Sequence, residues 1–140
     1  MRLKISITSQ ALMLLGLTMF VVTLSSGCES MASVDAAEAP VKEFVESKGG
    51  MVELEGGHIV VVWCESANLQ DSDVEQFAAL PQIKELHLNY NGDLTNAVFK
   101  MLDNKPTLET LELAETKITQ RAADNFREVH TEMNVSGPGV

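Results

Sequence analysis

Apolar and polar positions change period several times along the chain, and each change marks an element. From Ala11 to Leu24 the residues form an apolar run of 14 without a charge. Pro40 suits an early position of a helix whose apolar residues Val41, Phe44 and Val45 fall on one face. Gly49-Gly50 stands where that helix should stop. Met51–Glu55 and His58–Trp63 are β-prone runs around Gly56-Gly57, a hairpin signal. Glu53 and Glu55 suit the first of these strands to a sheet edge, where charge discourages pairing with another chain.

Beyond the hairpin the chain repeats itself. Pro81-Gln82-Ile83-Lys84-Glu85-Leu86-His87-Leu88 aligns with Pro106-Thr107-Leu108-Glu109-Thr110-Leu111-Glu112-Leu113 at an offset of 25 residues, both reading P-x-[IL]-x-x-L-x-L. At the same offset upstream, Val61 and Trp63 take the places of Leu86 and Leu88. A polar residue follows each strand, Ser66, Asn91 or Thr116, of a kind that bonds the backbone of a turn. Then come Leu69-Gln70, Leu94-Thr95 and Ile118-Thr119, and an apolar-faced segment holding Phe77, Leu102 or Phe126. Asp71-Ser72 with Glu75 has the form of a capping box, and Thr95 and Thr119 are single cap candidates. One strand and one helix cannot bury both apolar faces alone; about three stacked copies can.

This pattern, with Leu108-x-x-Leu111-x-Leu113-x-x-Thr116-x-Ile118-Thr119, resembles the leucine-rich-repeat proteins, above all the short bacterial, envelope-associated type whose repeats end in a T-x-I-T turn. The resemblance covers about residues 58 to 128. It implies an α/β fold: a short leucine-rich-repeat solenoid of about three strand–helix repeats, with parallel strands on the concave side and helices on the convex side. The helix and hairpin from residue 40 would form its N-terminal cap, giving a domain over 40–128 and a loose C-terminal tail over 129–140, from which Met133 or Val135 is available to cover the last coil. Most copies lack the Asp and Gly that often follow the T-x-I-T turn, and Val61-Val62-Trp63 replaces a leucine pair.

The N-terminus has the parts of an export signal: Arg2 and Lys4, the apolar run, and the small residues Ser25-Ser26-Gly27. A run of 14 residues is short for a spanning helix, which needs roughly 20. Leu24-Ser25-Ser26-Gly27-Cys28 resembles the lipobox of bacterial lipoproteins, with Ser25 where that family usually has leucine. The resemblance implies a signal peptide over 1–27, acylation of Cys28, and a flexible lipid-anchored tether over 28–39. The protein would then be an exported lipoprotein, held on a membrane without spanning it and facing the periplasm or cell surface. An ordinary secretory cut after Ala37-Glu38-Ala39 is disfavoured by Pro40.

Charge narrows the partners. Removal of residues 1–27 carries off Arg2 and Lys4 and moves the formal charge from −10 to −12. Such a chain repels nucleic-acid phosphates and lacks a polybasic grip on anionic lipid. With Cys28 acylated, only Cys64 remains, so no internal disulfide forms. Cys64 is expected to be a buried or half-buried small hydrophobe.

If Leu86 and Leu88 point inward, the residues between them face the concave side. That side would carry Val60, Val62 and Cys64, then Glu85, His87 and Asn89, then Thr110, Glu112 and Ala114, with Trp63 in the core. Val62, His87 and Glu112 would form one row, and Cys64, Asn89 and Ala114 the next, with rows crossing strands about 4.8 Å apart. Glu85, His87, Asn89, Thr110 and Glu112 are therefore the candidate partner-binding residues of a monomeric interaction module for another envelope protein. The alternative is a structural envelope lipoprotein without a dedicated partner. The sharpest enzymatic option is a Cys64–His87–Glu112 hydrolase, but no oxyanion hole or pocket accompanies it, so no residue is assigned a catalytic role. His58, His87, His130 and Cys64 show no metal-ligand spacing. Acids Glu109, Glu112 and Glu115 read as a solvated edge, and the glycine pairs lack the GK[ST] of a phosphate loop. No cofactor is expected.

Overall fold

The computed structural model describes residues 33–138; Cys28 and the signal-peptide segment lie outside them. The elements are α1 (Ala39–Ser47), β1 (Met51–Glu55), β2 (His58–Trp63), α2 (Asp71–Ala79), β3 (Glu85–His87), α3 (Ala97–Leu102), β4 (Thr110–Glu112), α4 (Gln120–Val129) and β5 (Asn134–Ser136). The strands form one five-stranded sheet in the order β1-β2-β3-β4-β5. The β1–β2 pair is antiparallel, and every later pair is parallel. The fold is thus α/β with a mostly parallel sheet and four helices. Among the described residues no helix is long and apolar enough to cross a membrane.

Local sequence explains the N-terminal half. Pro40 sits in the first turn of α1, where its missing N–H costs nothing. Gly49 adopts φ +80° and ends the helix. A Cβ on Gly50 would lie 2.3 Å from the Trp63 carbonyl oxygen, so glycine is required where the chain passes β2. Opposite β1, β2 carries one extra residue: Glu53 pairs with Val61 and Leu54 with Ile59, leaving Val60 as a bulge. The bulge resets alternation, so Ile59 and Val62 both enter the core.

The core lies on one side of the sheet. Val62, Leu86, Leu111 and Val135 share one register across β2 to β5. Cys64, Leu88 and Leu113 extend the buried stack beyond the strand ends. Val45, Val74, Phe77, Val98, Leu102, Ala123 and Phe126 from the four helices cover that side. The three turns after β2, β3 and β4 repeat one backbone feature, a left-handed residue at Ser66 (φ 53°), Tyr90 (φ 61°) and Glu115 (φ 55°). Cys64 N donates to His87 O at 3.0 Å, Leu88 N to Glu112 O at 2.9 Å and Leu113 N to Ser136 O at 2.9 Å, carrying the parallel ladder past each strand.

Four expectations are corrected. Val62 pairs with Leu86 and Trp63 with His87, so the first copy is offset by 24 residues, not 25. A one-residue slip exchanges faces, which puts Cys64 in the core and Trp63 outside it. The 129–140 tail is not loose over its described length, because Asn134–Ser136 is a fourth parallel strand whose Val135 extends the row of Leu111. The tether ends early: Asp35 N donates to Gly57 O at 2.7 Å, and the Glu38 carboxylate is buried against His58 Nδ1 (2.6 Å) and Ile59 N (2.7 Å). The reciprocal cap of α2 joins Gln70 to Asp73, whose carboxylate accepts from Gln70 N at 2.8 Å. Asp71 instead accepts from Thr95 N and Thr95 Oγ1, at 2.8 and 2.6 Å, linking the segments that follow β2 and β3.

Candidate functional site

The core residues of all four described helices lie on one side of the sheet, which leaves the strand side chains of the other side without a helical cover. Two rows cross it. The register puts Met51, Trp63, His87, Glu112 and Ser136 in one row, and Glu53, Val61, Glu85, Thr110 and Asn134 in the next. Asn89, two residues beyond His87, extends the same side past the end of β3. The five candidate binding residues, Glu85, His87, Asn89, Thr110 and Glu112, are therefore brought together on one face.

Four of them form a connected polar network with Glu65. His87 Nε2 lies 3.1 Å from Glu85 Oε2, and His87 Nδ1 lies 2.9 Å from Glu112 Oε2. Asn89 Nδ2 donates to Glu112 Oε2 at 2.9 Å and to Glu65 Oε1 at 2.8 Å. Asn89 Oδ1 accepts from Ala114 N at 2.9 Å, which fixes the amide orientation. The Trp63 indole stacks on the His87 ring with centroids 5.5 Å apart and planes 14° apart. The His87 side chain is 14 % exposed, Glu112 33 % and Glu85 41 %, so the imidazole is held while the carboxylates reach solvent.

Electrostatics follow from this arrangement. Burial alone would lower the His87 pKa, but hydrogen bonds and charge from Glu112 and Glu85 outweigh it and leave the group raised above 6.5. Glu112 is held below 4.5, chiefly by the hydrogen bond to His87, against a smaller opposing effect of burial. A group with a raised folded-state pKa stabilises most below its unfolded value and loses that contribution as pH rises through the folded one. The carboxylate runs the other way, contributing above 4.5 and losing its share as pH falls. The network is thus expected to support the fold best between about pH 4.5 and 6.5. Trp63 is the only tryptophan. Its fluorescence should rise as the stacked imidazolium, a better quencher than neutral imidazole, loses its proton, with a midpoint above pH 6.5. A titration in which His87→Gln keeps the same transition would contradict this assignment.

Cys64 stands apart. It is fully buried on the helix-covered side, and burial pushes its thiol pKa up to about 11. His87 and Glu112 are neighbours as anticipated, but the thiol is not brought to them. Cys64 should resist a thiol reagent at pH 8 until the protein is unfolded; rapid labelling of the native protein would place it elsewhere. Among the described residues, no group of three or more His, Cys, Asp or Glu is placed to hold a metal ion. Surface hollows of about 240 and 320 Å³ lie around Lys105, Pro106 and His130, and one of about 190 Å³ lies beside His58; none reaches the network.

Sequence reasoning missed Met51, Trp63 and Glu65 as members of this face. The signal for Trp63 was present in part, since Val60 to Cys64 is apolar at every position and alternation there cannot choose a register. Compared with protein-family models, with curated proteins and with solved structures, the chain matches none.

Proposed function

We propose that this chain is a non-catalytic protein-interaction module, built as a short leucine-rich-repeat-type solenoid and tethered to the bacterial cell envelope by an acylated Cys28. The recurring left-handed turn at Ser66, Tyr90 and Glu115, and the stacked row Val62, Leu86, Leu111 and Val135, support the repeat reading. The lipobox-like Leu24–Cys28 segment and the preceding apolar run support the anchor. The partner is another envelope protein, bound on the open sheet face.

The observation that carries the interaction reading is the Glu85–His87–Glu112–Asn89–Glu65 network. Its side chains are fixed by each other and by the Ala114 backbone, yet its carboxylates remain partly open to solvent. Polar groups already held in place lose little freedom on binding, which is how a surface gains affinity without large area.

Two experiments test the two halves. Intact mass of the mature protein from membranes should match residues 28–140 plus diacylglyceryl and acyl groups, and Cys28→Ala should abolish that species. An unmodified mass starting elsewhere removes the anchor. Chemical cross-linking in the envelope should give a discrete adduct that Glu85→Lys with Glu112→Lys abolishes. Adducts of many sizes, unchanged by charge reversal, would instead identify a structural coat protein without a dedicated partner.

A further inference from the structure

We infer that the segment recognised by the open face is an extended peptide carrying a basic side chain two positions from an apolar one. This deepens the interaction reading and rests on it. The starting point is an apolar ledge. Met51, 64 % exposed, is the register partner of half-buried Trp63 on the edge of the sheet. A methionine and an indole side by side on an otherwise acidic face are suited to cover an apolar side chain.

The other end of the same row fixes the charge. Both nitrogens of His87 are engaged by Glu85 and Glu112, and the Asn89 amide is engaged through both its oxygen and its nitrogen. What the network still offers a ligand is carboxylate oxygen on Glu65, Glu85 and Glu112, which accepts and does not donate. Lys84, at the margin of the face, is paired with Glu55. Charge complementarity therefore selects an ammonium or guanidinium, and the planar donors of arginine match paired carboxylate oxygens best. Anionic lipid and nucleic acid carry the wrong sign.

Spacing selects the backbone. Trp63 and Glu112 lie two strands apart, roughly 10 Å at the usual strand separation. Same-side residues of an extended chain are about 6.5 Å apart, and long side chains cover the remainder. An extended segment crossing the strands thus sets its apolar residue on the Met51–Trp63 ledge and its basic residue among Glu85, Glu112 and Glu65.

The test uses the full chain in detergent and the intrinsic emission of Trp63. The probe is an acetylated, amidated serine–leucine–serine–arginine–serine peptide, and the control replaces its arginine with glutamate. The arginine peptide should change Trp63 emission saturably, and the glutamate peptide should not. Glu85→Gln with Glu112→Gln, checked for an unchanged circular dichroism spectrum, should weaken binding about tenfold, as should raising ionic strength from about 0.05 to about 0.5 M. Glu65→Gln at the margin should weaken it less. Equal responses to the two peptides, or undiminished binding by the double variant, would overturn the inference. If cross-linking to an envelope partner is abolished by charge reversal while neither peptide binds, the interaction reading stands and this inference falls. If both measurements are negative, both fall.

Discussion

Asn91→Ala is expected to destabilise the domain by about 3–5 kcal/mol, among the largest single effects open to a polar residue here. Asn91 is fully buried. Its Nδ2 donates to Cys64 O at 2.8 Å and Leu88 O at 3.0 Å, while its Oδ1 accepts from Ala67 N at 3.0 Å and Leu69 N at 3.1 Å. One carboxamide therefore satisfies backbone groups of two successive turns; under the 24-residue offset its counterpart in the first of them is Ala67, and Ser66 matches Tyr90 instead of Asn91. Truncation would leave buried donors and acceptors unpaired, each costing about 1–3 kcal/mol. Asn91→Asp should fail similarly, because a carboxylate cannot donate to the two carbonyls. Exposed Asn104→Ala is the control, expected within about 0.5 kcal/mol of the parent. Urea midpoints decide the matter, and a shift for Asn91→Ala no larger than the control would remove the ladder role.

The second large effect is Leu86→Ala, expected to cost about 2–5 kcal/mol. Leu86 is fully buried in the middle strand, between Val62 and Leu111 in the register. Helices close over it, so the cavity has little room to collapse. Trp63→Ser should cost clearly less, because Trp63 stacks on His87 on the open face instead of filling the core. The comparison also tests the register. If Trp63→Ser proved as damaging as Leu86→Ala, the indole would belong to the core, as a 25-residue offset would have it.

How much was legible in the sequence varied with the strength of the local pattern. The α1 helix, the hairpin and the second and third strand–helix copies follow from Pro40, the glycine pairs and the L-x-L spacing, and Thr119 caps α4 as its position predicts, accepting from Ala122 N. The β2 register was not legible, because Val60-Val61-Val62-Trp63-Cys64 presents apolar residues to both faces. Strand β5 was hidden for a different reason: Asn134-Val135-Ser136 has no β-prone run of its own. It forms because β4 offers a free edge and Leu111 needs a cover. Arg127 Nε donates to Val135 O at 2.8 Å and closes the end. Glu38 read as one more tether acid because its partners, His58 and Ile59 N, lie some 20 residues away.

The open sheet face shows the same division. Glu85, His87, Asn89, Thr110 and Glu112 were found by alternation in two strands with clear L-x-L pattern. Met51, Trp63 and Glu65 come from the strands where the bulge at Val60 and the slipped offset decide orientation, and only the register reveals them.

The proposed recognition on the open sheet face can be read out by placing a photo-cross-linking amino acid at one position per experiment in the living cell. Thr110 samples the open face, and exposed Glu75, Lys100 and Asp124 sample α2, α3 and α4. One discrete adduct is expected from Thr110, lost on Glu85→Lys with Glu112→Lys, and none from the three helix positions. A discrete adduct from the helices with none from Thr110 would contradict it.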